Sequence, residues 1–380
     1  MLQLVPRLDE GGVERGTVEI AAAIRAAGGR ALVASAGGRL ERSVARAGGE
    51  HIAGPFAAKG PLAIRANAGR IAALVRAEGV EVIHARSRAP AWAGWWAARQ
   101  TGAAFVTTFH GVYSEGLPGK RLYNSVMARG RPTIAISHFV ADHIRARYQV
   151  PEAMLRVIPR GADLADFDEA SVAAGRAASV AAAWGLADDT RPIVLMPARL
   201  GGWKGHDHVV AAARILRQRG QVDPLFIMAG EGPEAADNIT AAAAEAGVAD
   251  AIRLVGHCSD MAAAYKLSAV VLSAATRPEA FGRVPIEAQA MGRPVIASDH
   301  GGPRETVDHG KSGWLYPPGD AEALAAAIET VLSLDDSGRA HMGLAGRARV
   351  RAQFSLKAMQ QATLEIYEEV TGRSFPSTLG

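Results

Sequence analysis

Short runs of consecutive apolar, β-branched-rich residues alternate along this chain with longer alanine-rich segments whose apolar positions recur at helical spacing. ALVAS (31–35), VEVIHA (80–85), AAFVTTF (103–109) and TIAIS (133–137) are runs of the first kind. A strand buried on both faces shows no polar alternation, and crossover helices cover those faces, so the rhythm predicts α/β architecture with doubly wound parallel sheets. After RVIPRGAD (156–163) and an alanine-rich stretch at 170–184, the rhythm restarts with RPIVLMPARL (191–200). PLFIMAG (224–230), AIRLVG (251–256), AVVLSA (269–274) and RPVIAS (293–298) follow, each ahead of a helical segment. The pattern implies two Rossmann-like domains, 1–185 and 186–355. The amphipathic segment LKAMQQATLEIYEEV (356–370) is expected to begin a C-terminal helical stretch, 356–380, that completes the first domain.

Length agrees with two domains, since 380 residues exceed the usual range of about 100–200 residues per domain, and two such domains leave a cleft. A hydrophobic share of 49% with 21% charged residues describes a chain that folds throughout. The single cysteine, Cys258, excludes an internal disulfide framework and suits a reducing compartment. No apolar run approaches the roughly 18 residues of a spanning helix, and the N-terminus lacks the layout of a signal peptide, so a cytoplasmic protein is expected. The net charge of +4 conceals an asymmetry. Residues 1–180 hold 23 of the 42 Lys+Arg and 15 of the 38 Asp+Glu, leaving 19 and 23 for the remainder. A basic first half can face nucleic acid, anionic lipid or a phosphorylated small molecule, and charge alone does not choose.

Open α/β sheets bind ligands beyond the carboxyl ends of their strands, which directs attention to the polar residues there. Gly11 and Gly12 lie between the first strand and a helical segment, where bare backbone N–H groups and the helix dipole favour a phosphate; a plain turn has the same composition. His110 ends FVTTFHG at a strand terminus. In PARLGGWKG (197–205), Arg199 and Lys204 share one glycine-rich loop, and two fixed cations suit a diphosphate leaving group. The turn Gly230-Glu231-Gly232-Pro233 follows another strand and would line the same crevice. In RPEAFGRVPIEAQAMGRPVIAS (277–298), Glu279 sits in a loop, Phe281 and Gly282 open a helix, and Glu287 lies within it. Carboxylates accept hydrogen bonds from vicinal hydroxyls, while the helix start can hold phosphate. No clustered carboxylates suggest a dedicated metal site.

Taken together, GGVERG (11–16), TFHG (108–111), AISHFVADHI, VIPRGAD, ARLGGWKG (198–205), AGEGP (229–233) and the Glu279–Glu287 block resemble the retaining GT-B glycosyltransferases of family 4, the glycogen-synthase-like group, over almost the entire chain. The resemblance implies a GT-B fold and a metal-independent hexosyltransferase without cofactor, using a UDP- or GDP-linked sugar as donor. It implies that Glu287 binds the nucleotide ribose and Glu279 the sugar hydroxyls. Backbone at Phe281 and Gly282 would hold sugar and phosphate, and Arg199 and Lys204 would grip the diphosphate. Gly12, next to Gly11, would contact the diphosphate from the other domain, and His110 would reach the sugar. Gly230 and Glu231 would line the donor pocket, and His257 would lie near the base. Two positions depart from the family's commoner pattern: Ala280 replaces a frequent glycine and Arg160 a frequent asparagine.

A non-hydrolysing sugar-nucleotide epimerase and a catalytically inactive nucleotide-sugar-binding module fit the same architecture; turnover of donor alone marks the first and binding without turnover the second. The segment LPGKRLYNSVMARGR (117–131) carries four basic residues and several apolar ones, so if helical it can lie on an anionic membrane or simply face solvent. With the resemblance, it points to an envelope glycan or glycolipid acceptor, such as lipopolysaccharide, at the inner face of the cytoplasmic membrane, and to no nucleic-acid partner.

Overall fold

The computed structural model describes residues 1–9 and 11–375, which form two compact units, Met1–Arg160 with Leu356 onward, and Gly161–Ser355. The first unit holds a seven-stranded sheet of β1 (Leu2–Leu4), β2 (Leu32–Ser35), β3 (Glu50–Ala53), β4 (Val82–Ala85), β5 (Ala104–Phe109), β6 (Thr133–Ala135) and β7 (Leu155–Val157). All neighbours pair in parallel, in the order β3-β2-β1-β4-β5-β6-β7. β1, β2 and β4 are buried at every position, as expected of strands covered on both faces, whereas the edge strand β3 is half exposed. The chain winds outward from β1 through β3, then returns to add β4 on the other side of β1, so the strand order reverses between β1 and β4.

The helix Leu356–Thr371 belongs to this first unit, because Met359, Leu364, Ile366 and Tyr367 enter a core with Ile20, Ile24 and Val82. Residues 376–380, the end of the expected 356–380 stretch, lie outside the described residues.

The second unit carries β8 (Ile193–Pro197), β9 (Leu225–Ala229), β10 (Ile252–Gly256), β11 (Val270–Ser273), β12 (Val295–Ser298) and β13 (Gly313–Tyr316), parallel, in the order β10-β9-β8-β11-β12-β13. The reversal here falls between β8 and β11. One face packs Val194, Met196, Phe226 and Met228 against Val209, Leu216, Ile328 and Val331; the other packs Leu195, Ile227 and Val271 against Tyr265 and Met291. The chain enters this unit at Gly161, not at 186 as the sequence rhythm implies. Val172, Trp184 and Leu186 are buried in its core, and the helix Ala174–Ala183 packs on the helix Met261–Leu267.

Segment 117–131 folds as two short turns of helix, Lys120–Asn124 and the 3₁₀ turn Ser125–Arg129, and not as one amphipathic helix. Asn124, Val126 and Met127 are buried, while Leu117 and Leu122 are exposed. The Arg129 guanidinium stacks on Trp92 and Trp95. No helix among the described residues is long and apolar enough to cross a membrane.

Candidate functional site

Two loops meet where the strand order of the second unit reverses. The loop after β8 runs through Arg199 to the 3₁₀ turn Gly202–Lys204; the loop after β11 runs to Gly282, which precedes the helix Arg283–Ala290. Lys204 Nζ hydrogen-bonds to Glu279 Oε1 across them. Both residues line a cavity of about 20 Å³ with Ala198, Ser273 and Ala275. The Trp203 carbonyl accepts the Thr276 N–H at 2.7 Å, and the Lys204 ammonium lies 4.3 Å from the Trp203 ring centre. Gly205, at φ +88°, allows the closure: a Cβ there would overlap the Ala274 carbonyl oxygen.

Glu287 lies inside the helix and is buried. Its Oε2 accepts the Tyr265 hydroxyl at 3.1 Å and its Oε1 accepts Arg283 Nε at 3.0 Å. A carboxylate offers about four acceptor sites, so two remain for other donors. Gly282 has φ +81°, and a Cβ there would stand 3.0 Å from Glu279 Oε2. The Phe281 ring is turned into the core against Phe354, leaving only its backbone for a ligand.

Arg199 is exposed at the end of β8 and makes no side-chain hydrogen bond or ion pair among the described residues. Gly230 packs its Cα directly over the Ala198 carbonyl, Glu231 accepts the Leu200 N–H at 2.9 Å through its own carbonyl, and the Glu231 side chain is exposed. His257 is exposed beyond the edge strand β10. The structure thus joins Lys204 to Glu279 and sets Gly230 and Glu231 against the Arg199 loop.

Two features escape a reading by motif. Gly301 and Gly302 press on the loop that carries Glu279: the Gly302 N–H donates to the Glu279 carbonyl at 2.8 Å, and a Cβ at Gly302 would overlap Phe281. The pair follows β12 as Gly11-Gly12 follows β1, which is the signal that could have found it. His206 follows Lys204 and Gly205 and is 3% exposed, with neither ring nitrogen hydrogen-bonded among the described residues. Burial pushes its pKa down to about 4, keeping it neutral. It lines a 190 Å³ pocket with Gly201, Gly202 and Asn238.

In the first unit, Gly11 (φ +150°) precedes the helix Gly12–Ala26 without a side-chain cap, and a Cβ on Gly12 would meet open space. Arg160 lies beneath that helix, where Nη2 donates to the Gly12 carbonyl at 2.8 Å and to Glu19 Oε2 at 3.1 Å. Gly16 makes room for it, since a Cβ there would overlap the guanidinium. Arg160 is therefore a brace for the glycine turn. His110 Nε2 is buried without a hydrogen-bond partner among the described residues. Burial first, then the charges of Arg160 and Arg86 and the nearby His84, hold its pKa well below the ordinary histidine value. Among the described residues, no group of three or more His, Cys, Asp or Glu is arranged to hold a metal.

Residues 10–166 match the family model for Glycosyltransferase Family 4 and residues 183–349 match that for Glycosyl transferases group 1. The chain is 31% identical over 321 residues to α-maltose-1-phosphate synthase of Mycolicibacterium smegmatis, an alignment spanning 78% of this chain and 80% of that protein. It superposes on a glycosyltransferase from Rickettsia africae with a TM-score of 0.91, at 36% identity and 98% coverage of each chain. HepE from Anabaena, solved in complex with UDP and glucose, has the same fold at 23% identity, with a TM-score of 0.82 over 97% of this chain and 98% of that one.

Proposed function

We propose that this chain, which belongs to the family 4 glycosyltransferases and has their GT-B fold, transfers a hexose with retention of configuration from a UDP- or GDP-linked donor held in the second unit. The observation that carries the reading is the Lys204–Glu279 pair at the reversal between β8 and β11. A cation and a hydroxyl-accepting carboxylate there match the two ends of a sugar diphosphate. Donor binding exchanges the partner of Lys204, which passes from Glu279 to the diphosphate and frees Glu279 for sugar hydroxyls. Arg199 supplies the second cation, Glu287 takes the ribose hydroxyls with its spare acceptor sites, and the backbone at Gly282 faces the phosphate.

The step needs no protein nucleophile. The bond from the anomeric carbon to the phosphate oxygen breaks, giving an oxocarbenium-like centre. The acceptor hydroxyl oxygen then bonds to that carbon from the same face, and its proton passes to the departing phosphate oxygen. Lys204 and Arg199 stabilise the charge developing on the leaving group, doing what a metal ion does elsewhere, so the reaction proceeds in chelator.

The acceptor in this reading is an envelope glycan or glycolipid such as lipopolysaccharide core. Exposed Leu117 and Leu122 beside Lys120 and Arg121 support contact with an anionic membrane. Retention of the protein by anionic vesicles at low salt tests that contact, and equal behaviour with neutral vesicles refutes it.

The decisive assay incubates the protein in EDTA with UDP- and GDP-hexoses, with and without glycan acceptors, and reads the anomeric configuration of the product by NMR. Transfer with retention is expected. Inversion, a requirement for a divalent ion, or conversion of donor without acceptor would each overturn the corresponding part.

A further inference from the structure

The first unit buries a cation that no carboxylate among the described residues touches, the charge of Glu19 acting on it from beyond contact distance. Arg86 follows β4 and is 3% exposed. Its Nε donates to Gln3 Oε1 at 2.8 Å, and Gln3 Nε2 donates in turn to the Thr17 carbonyl at 2.9 Å, so the partner is a neutral amide. Arg86 Nη2 is buried with no hydrogen-bond partner, and Arg86 makes no ion pair among the described residues. Arg160 stands beside it, with its charge met by Glu19. Both guanidinium groups line one cavity of about 20 Å³, together with His84, Thr108 and Thr363 and a rim of isoleucine side chains.

Glu19 acts on both guanidinium groups, and one carboxylate against two cations leaves a positive charge that the neutral groups around this cavity do not offset. His84 uses both ring nitrogens, with Tyr367 Oη at 2.6 Å and Thr108 Oγ1 at 2.7 Å, and burial keeps the ring uncharged. Burial pushes the Tyr367 phenol up to about 12, so it keeps its proton, and it leaves Arg86 Nη2 without a hydrogen bond of normal geometry. A guanidinium does not give up its proton in a protein, and an isolated buried charge is costly unless it is compensated. Size then decides the occupant. About 20 Å³ admits one particle of water or halide size and excludes a phosphate or a sugar. A water would satisfy the Nη2 donor but leave the charge.

We propose that the core of the first unit binds one small monovalent anion of halide size, chloride in ordinary buffers, through Arg86 Nη2 with the Arg160 guanidinium beside it. Met359 and Thr363 of the helix Leu356–Thr371 also line the cavity, so the ion ties that helix to the sheet. Crystals of the full chain grown in bromide test this: an anomalous peak inside the cavity is expected, and density there without anomalous signal overturns it. Thermal unfolding gives a second readout. The melting temperature is expected to rise with the logarithm of sodium chloride concentration beyond the rise in sodium gluconate of equal ionic strength. The excess should vanish in Arg86→Met. Equal responses of the unsubstituted protein to the two salts would overturn the proposal, whether or not that variant folds.

Discussion

The two units share one winding scheme and fill its reversal point differently. In the first, the residues after β1 and β4 at the reversal are a glycine turn and an arginine drawn into the core. Its charged groups are buried as braces, with Arg160 under Gly12 and Arg86 on Gln3. In the second, the loops after β8 and β11 meet through Lys204 and Glu279, which keep side-chain exposures of 26% and 12%. Topology selects the place where a ligand binds in an open α/β sheet. In the proposed reading the second place does chemistry because its charges can change partner, whereas the charges of the first are locked in its core.

Replacing Lys204 is expected to have the largest effect. Lys204→Ala should lower the transfer rate by about 10²–10³-fold, the range for losing one preorganised charge-stabilising donor, with the far-ultraviolet dichroism unchanged. A rate within a few-fold of the parent would remove the distinction between the two reversal points. Glu287→Ala strips Tyr265 and Arg283 of their shared acceptor and should cost about 3 kcal/mol in denaturant unfolding, as for breaking a buried pair. Glu279→Gln, by contrast, keeps the loop intact and should alter turnover more than stability.

Acid should weaken both units. His206, with its pKa near 4, and His110 and His84, both held well below the ordinary value, bind protons only in the unfolded chain between pH 6.5 and their folded values. Stability is therefore complete above about pH 6.5 and falls as pH drops below it, by about 1.4 kcal/mol per pH unit for each such histidine. His206→Phe should flatten the part of this loss that belongs to the second unit, which a pH series of melting curves would show. The smallest effects separate two neighbouring glycines. Gly16→Ala collides with Arg160 and should cost about 1–3 kcal/mol, whereas Gly12→Ala meets open space and should change stability by less than about 0.5 kcal/mol. Equal destabilisation by the two substitutions would contradict the brace assigned to Arg160.

The inner strands were legible because burial on both faces writes them as unbroken apolar runs. VEVIHA, PLFIMAG and RPVIAS each contain the observed strand. β3 and β13 are less legible because they are sheet edges of four residues each, partly exposed, with EHIA carrying little apolar signal and GWLY opening on a glycine. The sequence rhythm implies a boundary at 185/186 because an alanine-rich helix reads the same wherever it packs; burial of Val172 and Trp184 ties this one to the second unit. At the site, spacing could mark Lys204 and Glu279 but could not pair residues 75 positions apart, and contact across loops is a tertiary property. The roles of Arg160, His206 and Gly302 depend on what surrounds them, which no local pattern encodes.

A crystal structure of the chain with a non-transferable analogue of its UDP- or GDP-linked hexose tests the central claim most directly. The account predicts the diphosphate within hydrogen-bonding distance of Lys204 Nζ, with Glu279 released onto a sugar hydroxyl. A donor bound away from the β8 and β11 loops, or one that leaves the Lys204–Glu279 bond closed, would contradict it.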